Sequence, residues 1–234
     1  MNSVYEGKIV FIDMKKDELN PHQHFGYHPY AVVKKFEIHS DYFEDIYWIC
    51  PCSSIFEKRR LPTQIQLTKT WNKATAVLCE QLISVPASVV ERGNIGIEIS
   101  ELDMQNIIKA ISVQLALNSE PRDDKMKGKV YFFNLPQSDT FHRLCGNRPY
   151  ILMSNDKCNE NSPVVHLLPV SQYRSDCDVK DVHGLKSTNG FAIIPHLVLV
   201  SKKYISELEA FDKIKWGSMF GLNAKIKNSL TQAH

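Results

Sequence analysis

The chain has 234 residues, 43% of them apolar, and 28 basic residues against 26 acidic ones give a formal net charge of +2. That length leaves room for two domains of roughly 110 residues, each with a real core. The near balance of charge means that composition alone does not announce nucleic acid, so any such site must come from local clustering. No basic segment leads into an apolar run at the start, and no stretch reaches the ~18–20 apolar residues that span a bilayer. A soluble, cytoplasmic chain without membrane contact is the expectation.

Val10, Ile12 and Met14 alternate with less apolar partners and predict a strand over residues 8–14. Residues 15–28 are polar and rich in Pro, His and Asn, which reads as a long loop. Further strands are expected from Pro29 to Val33, from Ile46 to Cys52 and from Thr63 to Leu67, where Ile65 and Leu67 share a face. Ala76 to Val85 is apolar enough for one central strand. Five strands before any helix favour a small barrel-like sheet over βαβ units. Ser100 is a good N-cap with Asp103 three residues on, the spacing of a capping box. Ile107, Ile108, Ile111 and Leu115 then come at helical spacing, on a face that covers one end of the sheet.

Residues 118–127 are charged, contain Pro121 and read as an exposed linker. Beyond it, Lys129–Asn134, Pro149–Ser154, Val164–Val170 and Phe191–Val200 are strand-like, and a polar insertion fills 172–189. Residues 201–211 read as helical, and Gly217 and Gly221 interrupt the remaining C-terminal segment. The six cysteines include one close pair, Cys50 and Cys52, whose side chains share a strand face. Without paired CxxC or Cys/His spacing they read as buried reduced thiols, and no metal site is expected.

One pattern occurs twice, about 120 positions apart, which points to duplicated domains and not to a solenoid of short units. GKIVFIDM from Gly7 returns as GKVYFFNL from Gly128, GYHPYAVV from Gly26 as GNRPYILM from Gly146, and CPCSS with Ser53 as LPVSQ with Ser171. The copies differ at ionisable positions: His28 corresponds to Arg148, and Gln81 to His196.

A G-x-[VI] strand, a loop, a G-x-R-P strand, a strand closing on Ser, an E-Q-[IL] segment and a late helix together resemble the MazF/PemK (Kid) toxins. The likeness covers residues 7–117 in the first copy and about 128–208 in the second, where GNRPYILMSN carries it best. It implies a mainly β, α+β fold: two SH3-like small barrels of the MazF/PemK/CcdB type, each with a C-terminal helix, packed as a pseudo-dimer. The expected boundaries are 1–118 and 128–234, with 119–127 as linker.

The resemblance also implies a metal-independent, cofactor-free endoribonuclease acting on single-stranded mRNA. The family's catalytic arginine falls on Arg148, its strand-closing hydroxyl on Ser171 and Ser53, and its E-Q glutamine on Gln81 after Glu80. His28 stands where the first copy lacks the arginine, and Pro195–His196 replaces Glu-Gln in the second, so neither copy is complete. Cleavage through the 2′-hydroxyl needs a base, an acid and a cation for the phosphorane. Arg148 suits the last with its bidentate fork, Ser171 binds the phosphate, and His196 or His142 titrates near neutrality as acid or base.

One working site in the second half is therefore expected. Lys34, Lys35, Arg59, Arg60, His142 and Arg143 are assigned to RNA phosphates, and Lys58 belongs to the same basic cluster. Ordinary readings stand beside these: Arg148 paired with a carboxylate, Ser53 and Ser171 bonded to backbone, His28 a relic, His196 a core histidine and the basic run a solvated turn. The expected partners are single-stranded RNA and an antitoxin-like protein, the chain itself being a monomeric pseudo-dimer. The competing reading is a catalytically silent module of the same family that holds RNA, an antitoxin-like peptide or a topoisomerase.

Overall fold

The computed structural model describes residues 3–17, 20, 24–38, 43–54, 61–69, 74–118, 126–136, 144, 146–172, 182–185 and 190–231. In the first half run β1 (Lys8–Met14), β2 (Gly26–Phe36), β3 (Ile46–Ser53), β4 (Gln64–Gln66), β5 (Ala76–Leu78), β6 (Ile83–Pro86), α1 (Ala87–Val90), β7 (Asn94–Glu98) and α2 (Glu101–Gln114). In the second run β8 (Lys129–Leu135), β9 (Gly146–Leu152), α3 (Asp156–Asn161), β10 (Val164–Ser171), β11 (Val182–Leu185), β12 (Gly190–Ile193), β13 (Val198–Ser201), α4 (Lys203–Ser206), β14 (Asp212–Lys213) and α5 (Trp216–Thr231).

Both sheets are antiparallel, and the second repeats the first strand for strand. The order β4-β5-β3-β2-β1-β7, with β6 also on β3, returns as β11-β12-β10-β9-β8-β14, with β13 also on β10. Gly7 and Gly26 flank β1 with positive φ of 72° and 77°, and Gly128 and Gly146 repeat this around β8 at 82° and 85°. Only glycine takes that conformation cheaply, so the repeated glycines fix the same chain reversals in both halves.

The expected continuous strand from Ala76 to Val85 is two strands separated by a 3-10 turn at Cys79–Gln81, and the second half does the same with a turn at Ile194–His196. One end of β3 pairs with β5 and the other with β6, so the turn lets one chain segment track the bend of β3. In the second half burial is continuous through Ile194–His196, which hides the turn in an apolar run, whereas in the first half Glu80 and Gln81 are only half-buried.

At α2 the Ser100 side chain accepts a hydrogen bond from the Asp103 N–H at 3.2 Å, as an N-cap should. The Asp103 carboxylate serves the loop after β4: it accepts from the Thr68 N–H at 3.0 Å and from the Thr68 hydroxyl at 2.7 Å. The helix thereby ties itself to the sheet. Its far end is a Schellman turn, with Leu117 N–H on Ser112 O at 2.8 Å and Ala116 N–H on Val113 O at 3.1 Å. Ala116 holds φ of 48° there, a position usually given to glycine.

Two expectations change in the second half. Helix α5 runs straight through Gly217 and Gly221. Gly221 allows close packing: a Cβ there would lie 2.8 Å from His183 Cε1. Met219, Leu222, Ile226 and Leu230 meanwhile supply the buried face. The helix expected over 201–211 is confined to α4. The end of the expected exposed linker is also buried: Lys127 is 1% exposed. Its ammonium donates to the carbonyls of Leu115 and Ala116 at 2.5 and 2.9 Å and to Asn223 Oδ1 at 3.0 Å. It thus satisfies carbonyls that the end of α2 leaves open.

The core is continuous across the halves. Ile9, Trp48, Cys50, Ile107 and Ile111 of the first share one apolar cluster with Val130, Ile151, Leu168, Met219 and Ile226 of the second. Cys50, Cys52 and Cys79 are free thiols in that cluster, and burial, the largest effect, raises the pKa of Cys50 and Cys52.

The halves exchange related contacts. Trp48, opposite Ser84 in the β3/β6 ladder, donates its indole N–H to Pro195 O at 3.0 Å. His166, at the matching place opposite Leu199 in the β10/β13 ladder, lies with Nε2 3.1 Å from Leu82 O. Ser84 adds a bond from its hydroxyl to Leu197 O. Trp48 and His166 are equivalent in the repeat, whereas Pro195 and Leu82 stand two positions apart in it, so each half reaches the 3-10 turn region of the other at a slightly different point. No helix among the described residues is long and apolar enough to cross a membrane.

Candidate functional site

In both halves one ladder opens at a proline. The β2/β3 pairing ends with Tyr30 opposite Pro51, and the β9/β10 pairing ends with Tyr150 opposite Pro169. Proline has no N–H to extend the ladder, and past it β3 and β10 turn to pair with β5 and β12. The pairing stops short of His28 and Ser53 and of Arg148 and Ser171, which lie two residues beyond it on the strands that part there. Each half thus carries one basic-type side chain and one strand-end hydroxyl on the two strands that border the opening.

Arg148 lies on β9 opposite Phe133 and is half-buried, and Ser171 is buried at the end of β10 opposite Phe191. His196 sits near Arg148 but in a different state from the one expected. It is buried, neither ring nitrogen has a hydrogen-bond partner among the described residues, and its pKa falls to about 3. Desolvation is the main cause, and the Arg148 charge adds to it. A histidine that stays neutral through the physiological range cannot serve as an acid near neutrality, which corrects the expected acid–base role. Its ring is covered by Phe43 of the first half, edge-on at 5.6 Å and 79°. Phe43 packs there together with Leu144, Ile193 and Phe191.

In the first half His28 stacks on His24 at 4.9 Å. Burial lowers the pKa of His24, and the His28 charge lowers it further. Ser53 stands opposite Ala76. Lys34 and Lys35 are not uncompensated cations as expected for phosphate contacts. Lys34 lies 3.9 Å from Glu6, and Lys35 lies 2.8 Å from Asp45 and 3.6 Å from Glu91. Burial disfavours the Lys35 ammonium, yet the Asp45 hydrogen bond and the nearby Tyr47, Asp45 and Glu91 outweigh it and hold the pKa above its ordinary value. Arg59, Arg60, His142 and Arg143, with Lys58, lie outside the described residues.

Gln81 marks an opening that the residue pattern does not predict. Glu80 and Gln81 border a cavity of about 1020 Å³ between the halves, walled by Pro62 and Val113 on the first and by Asn155 and Pro163 on the second. Glu80 is held by Thr63 Oγ1 at 3.1 Å and Gln64 Nε2 at 2.8 Å. Burial raises its pKa, partly offset by these bonds. Gln81 Oε1 is buried without a hydrogen-bond partner among the described residues. The second-half wall is α3, capped by Asn155 accepting from the Cys158 N–H at 2.8 Å. An Asn immediately before a short polar run was the available sequence signal. The strand–turn unit around Gln81 corresponds to that around His196, so the two places are equivalent in the repeat. One is an open cavity, and the other is covered by Phe43.

A protein-family match covers the first half. Residues 5–115 match the PemK-like, MazF-like toxins of type II toxin-antitoxin systems. No curated protein sequence matches the chain. Among solved structures, a MazE-MazF crystal form (Form-III) from Deinococcus radiodurans is 14% identical over 46% of this chain and 96% of that one, with a TM-score of 0.37. MazF (Form-I) from the same organism is 14% identical over 47% and 94%, with a TM-score of 0.36. An endoribonuclease in complex with its cognate antitoxin from a mycobacterial species is 18% identical over 46% and 92%, with a TM-score of 0.35.

Proposed function

We propose that the chain is a toxin-type endoribonuclease that cleaves single-stranded RNA, built as a single-chain pseudo-dimer of two MazF/PemK-like barrels with its working site in the second half. The observation that carries this reading is the opening of the β9/β10 ladder past Tyr150 and Pro169, with Arg148 on one bordering strand and Ser171 on the other, in a sheet that repeats a toxin-like half strand for strand. The reciprocal contacts of Trp48 and His166 support the pseudo-dimer. The family's known endoribonuclease activity supports the reaction class.

In this reading the 2′-hydroxyl gives its proton to water as its oxygen bonds to phosphorus, and the P–O5′ bond breaks with the 5′-oxygen taking a proton from water, giving a 2′,3′-cyclic phosphate and a 5′-hydroxyl. Arg148 places a permanent bidentate cation on the phosphorane oxygens. Ser171 fixes the phosphate through its hydroxyl. His196, buried and neutral, lines the Arg148 side of the site and takes no part in proton transfer. His28, lacking the bidentate fork, makes the first half the non-cleaving partner. The expected setting is the cytoplasm, and the expected protein partner is an antitoxin-like peptide, as for the family.

The buried neutral His196 and the missing arginine at His28 favour one second reading, an RNA-binding module without cleavage. Incubation with a single-stranded RNA and its 2′-deoxy counterpart separates the two. Cleavage of the RNA alone, with a cyclic phosphate end, fits the nuclease. Salt-sensitive binding with both strands intact fits the module.

A further inference from the structure

We propose that the cavity beside Glu80 and Gln81 is a pocket for one unstacked guanine of a single RNA strand, with Glu80 as the specificity-determining residue. The proposal rests on the RNA reading above.

The repeat creates two equivalent places between the halves, and among the described residues the one at Gln81 is open. Phe43 covers the turn at His196, whereas the turn at Gln81 borders a cavity of about 1020 Å³. That is at the upper end of the roughly 300–1,000 Å³ of small-molecule sites and accommodates a base with its ribose. A single chain therefore takes one base, not two.

The lining sets the chemistry. Among the described lining residues Lys157 is the one basic side chain, against the carboxylates of Glu80 and Asp156. A phosphate-binding role is thus poorly matched, and a neutral ligand with N–H donors is well matched. Thr63 and Gln64 hold the Glu80 carboxylate in place with one donor on each oxygen. Each carboxylate oxygen has a second lone-pair site. Gln81 Oε1 adds a buried acceptor with no described partner. Leu61, Pro62, Val113 and Pro163 supply apolar walls for the faces of a flat ring.

Proteins read splayed RNA bases along their Watson–Crick edges. Guanine presents two adjacent donors there, N1–H and the N2 amino group, which match the two oxygens of one carboxylate. The second amino hydrogen is left for Gln81. Adenine and cytosine set a ring-nitrogen acceptor beside their amino group, against a carboxylate lone pair. Uracil sets two carbonyls beside its single N–H.

The test is fluorescence anisotropy with 2′-O-methyl oligouridines, which lack the nucleophile, carrying one central G, inosine, A, C or U. Inosine is guanine without the amino group. The wild-type chain should bind the G strand at least roughly tenfold more tightly than the inosine strand, the loss expected when the amino group's bonds to the charged Glu80 and to Gln81 are both missing. Glu80→Gln should shrink that difference severalfold. Val113→Trp, which fills the cavity from a partly exposed helix position and leaves Glu80 untouched, should abolish it with an unchanged Tm. Equal binding of the G and inosine strands by the wild type, or discrimination that survives Val113→Trp, overturns the pocket. If the all-U strand still binds in either case, the RNA reading stands without it. Failure of every strand to bind overturns both.

Discussion

Trp48 in the first half donates its indole N–H to the carbonyl of Pro195 in the second at 3.0 Å, and both residues are buried. The bond joins the middle of one sheet to the 3-10 turn of the other, and His166 returns the contact toward Leu82. A shared core runs through the same region, so the halves should unfold together. Trp48→Phe keeps an aromatic ring and removes the donor, leaving a buried carbonyl short of its partner at a cost of about 1–3 kcal/mol. Calorimetry should show one transition, lowered by roughly 2–4 °C per kcal/mol for a chain of this size. Two transitions, with only one displaced, would show that the halves are energetically separate.

His166 makes that junction acid-sensitive. Its Nε2 faces Leu82 O at 3.1 Å and its Nδ1 faces Gln114 Nε2 at 3.3 Å, an arrangement that uses one N–H and one lone pair and therefore needs the neutral ring. Burial, its main cause, lowers the pKa to about 4, against a small opposing effect of the Leu82 bond. Because the folded value lies below the unfolded value of ~6.5, the stabilisation is complete above that pH. It is lost as pH falls toward 4, by about 3 kcal/mol in order of magnitude. His196, at about 3, acts in the same direction. Urea midpoints should fall steadily from pH 7 to pH 4, and His166→Gln should flatten the slope. A midpoint constant over that range would contradict the neutral-ring assignment.

Ala116 offers a change in the stabilising direction. It holds a left-handed φ of 48° in the Schellman turn after α2. A side chain there costs about 1–2 kcal/mol relative to glycine. Ala116→Gly should raise stability by about 0.5–1 kcal/mol after the loss of a buried methyl and added unfolded-state entropy. A lower urea midpoint would mean that the methyl's packing outweighs the strain.

Lys127 should tolerate little. Three acceptors surround its ammonium at the junction of α2, the linker and α5. Lys127→Met fills similar volume but strands the Leu115 and Ala116 carbonyls, a loss of about 2–3 kcal/mol. Hydrogen exchange at the end of α2 should rise in this variant, and unchanged protection there would mean that water replaces the ammonium without cost.

How much of the fold the residues announce depends on the range of the forces involved. Alternation at Val10, Ile12 and Met14 and the N-cap at Ser100 are local, and β1 and α2 sit where they point. The repeat made the second sheet legible from the first, down to the paired glycines. The 3-10 turn at His196 was hidden because burial is unbroken through it, whereas at the first turn the polar Glu80 and Gln81 interrupt the apolar run. Helix α5 was hidden because Gly221 answers to His183, a long-range neighbour. At the candidate site the repeat places Arg148 and Ser171 on neighbouring strands, but the state of His196 depends on Phe43, which belongs to the other half. The carboxylates that neutralise Lys34 and Lys35 likewise come from distant segments.

The most direct measurement is the cleavage rate of a fluorescent single-stranded RNA by the wild-type chain and by Arg148→Ala at equal, folded concentration. Loss of the cation that meets the phosphorane should slow cleavage by about 10²–10³-fold. Arg148→Lys should recover only part of that, since a point charge does not replace the bidentate fork. Cleavage by Arg148→Ala at the wild-type rate would contradict a working site in the second half.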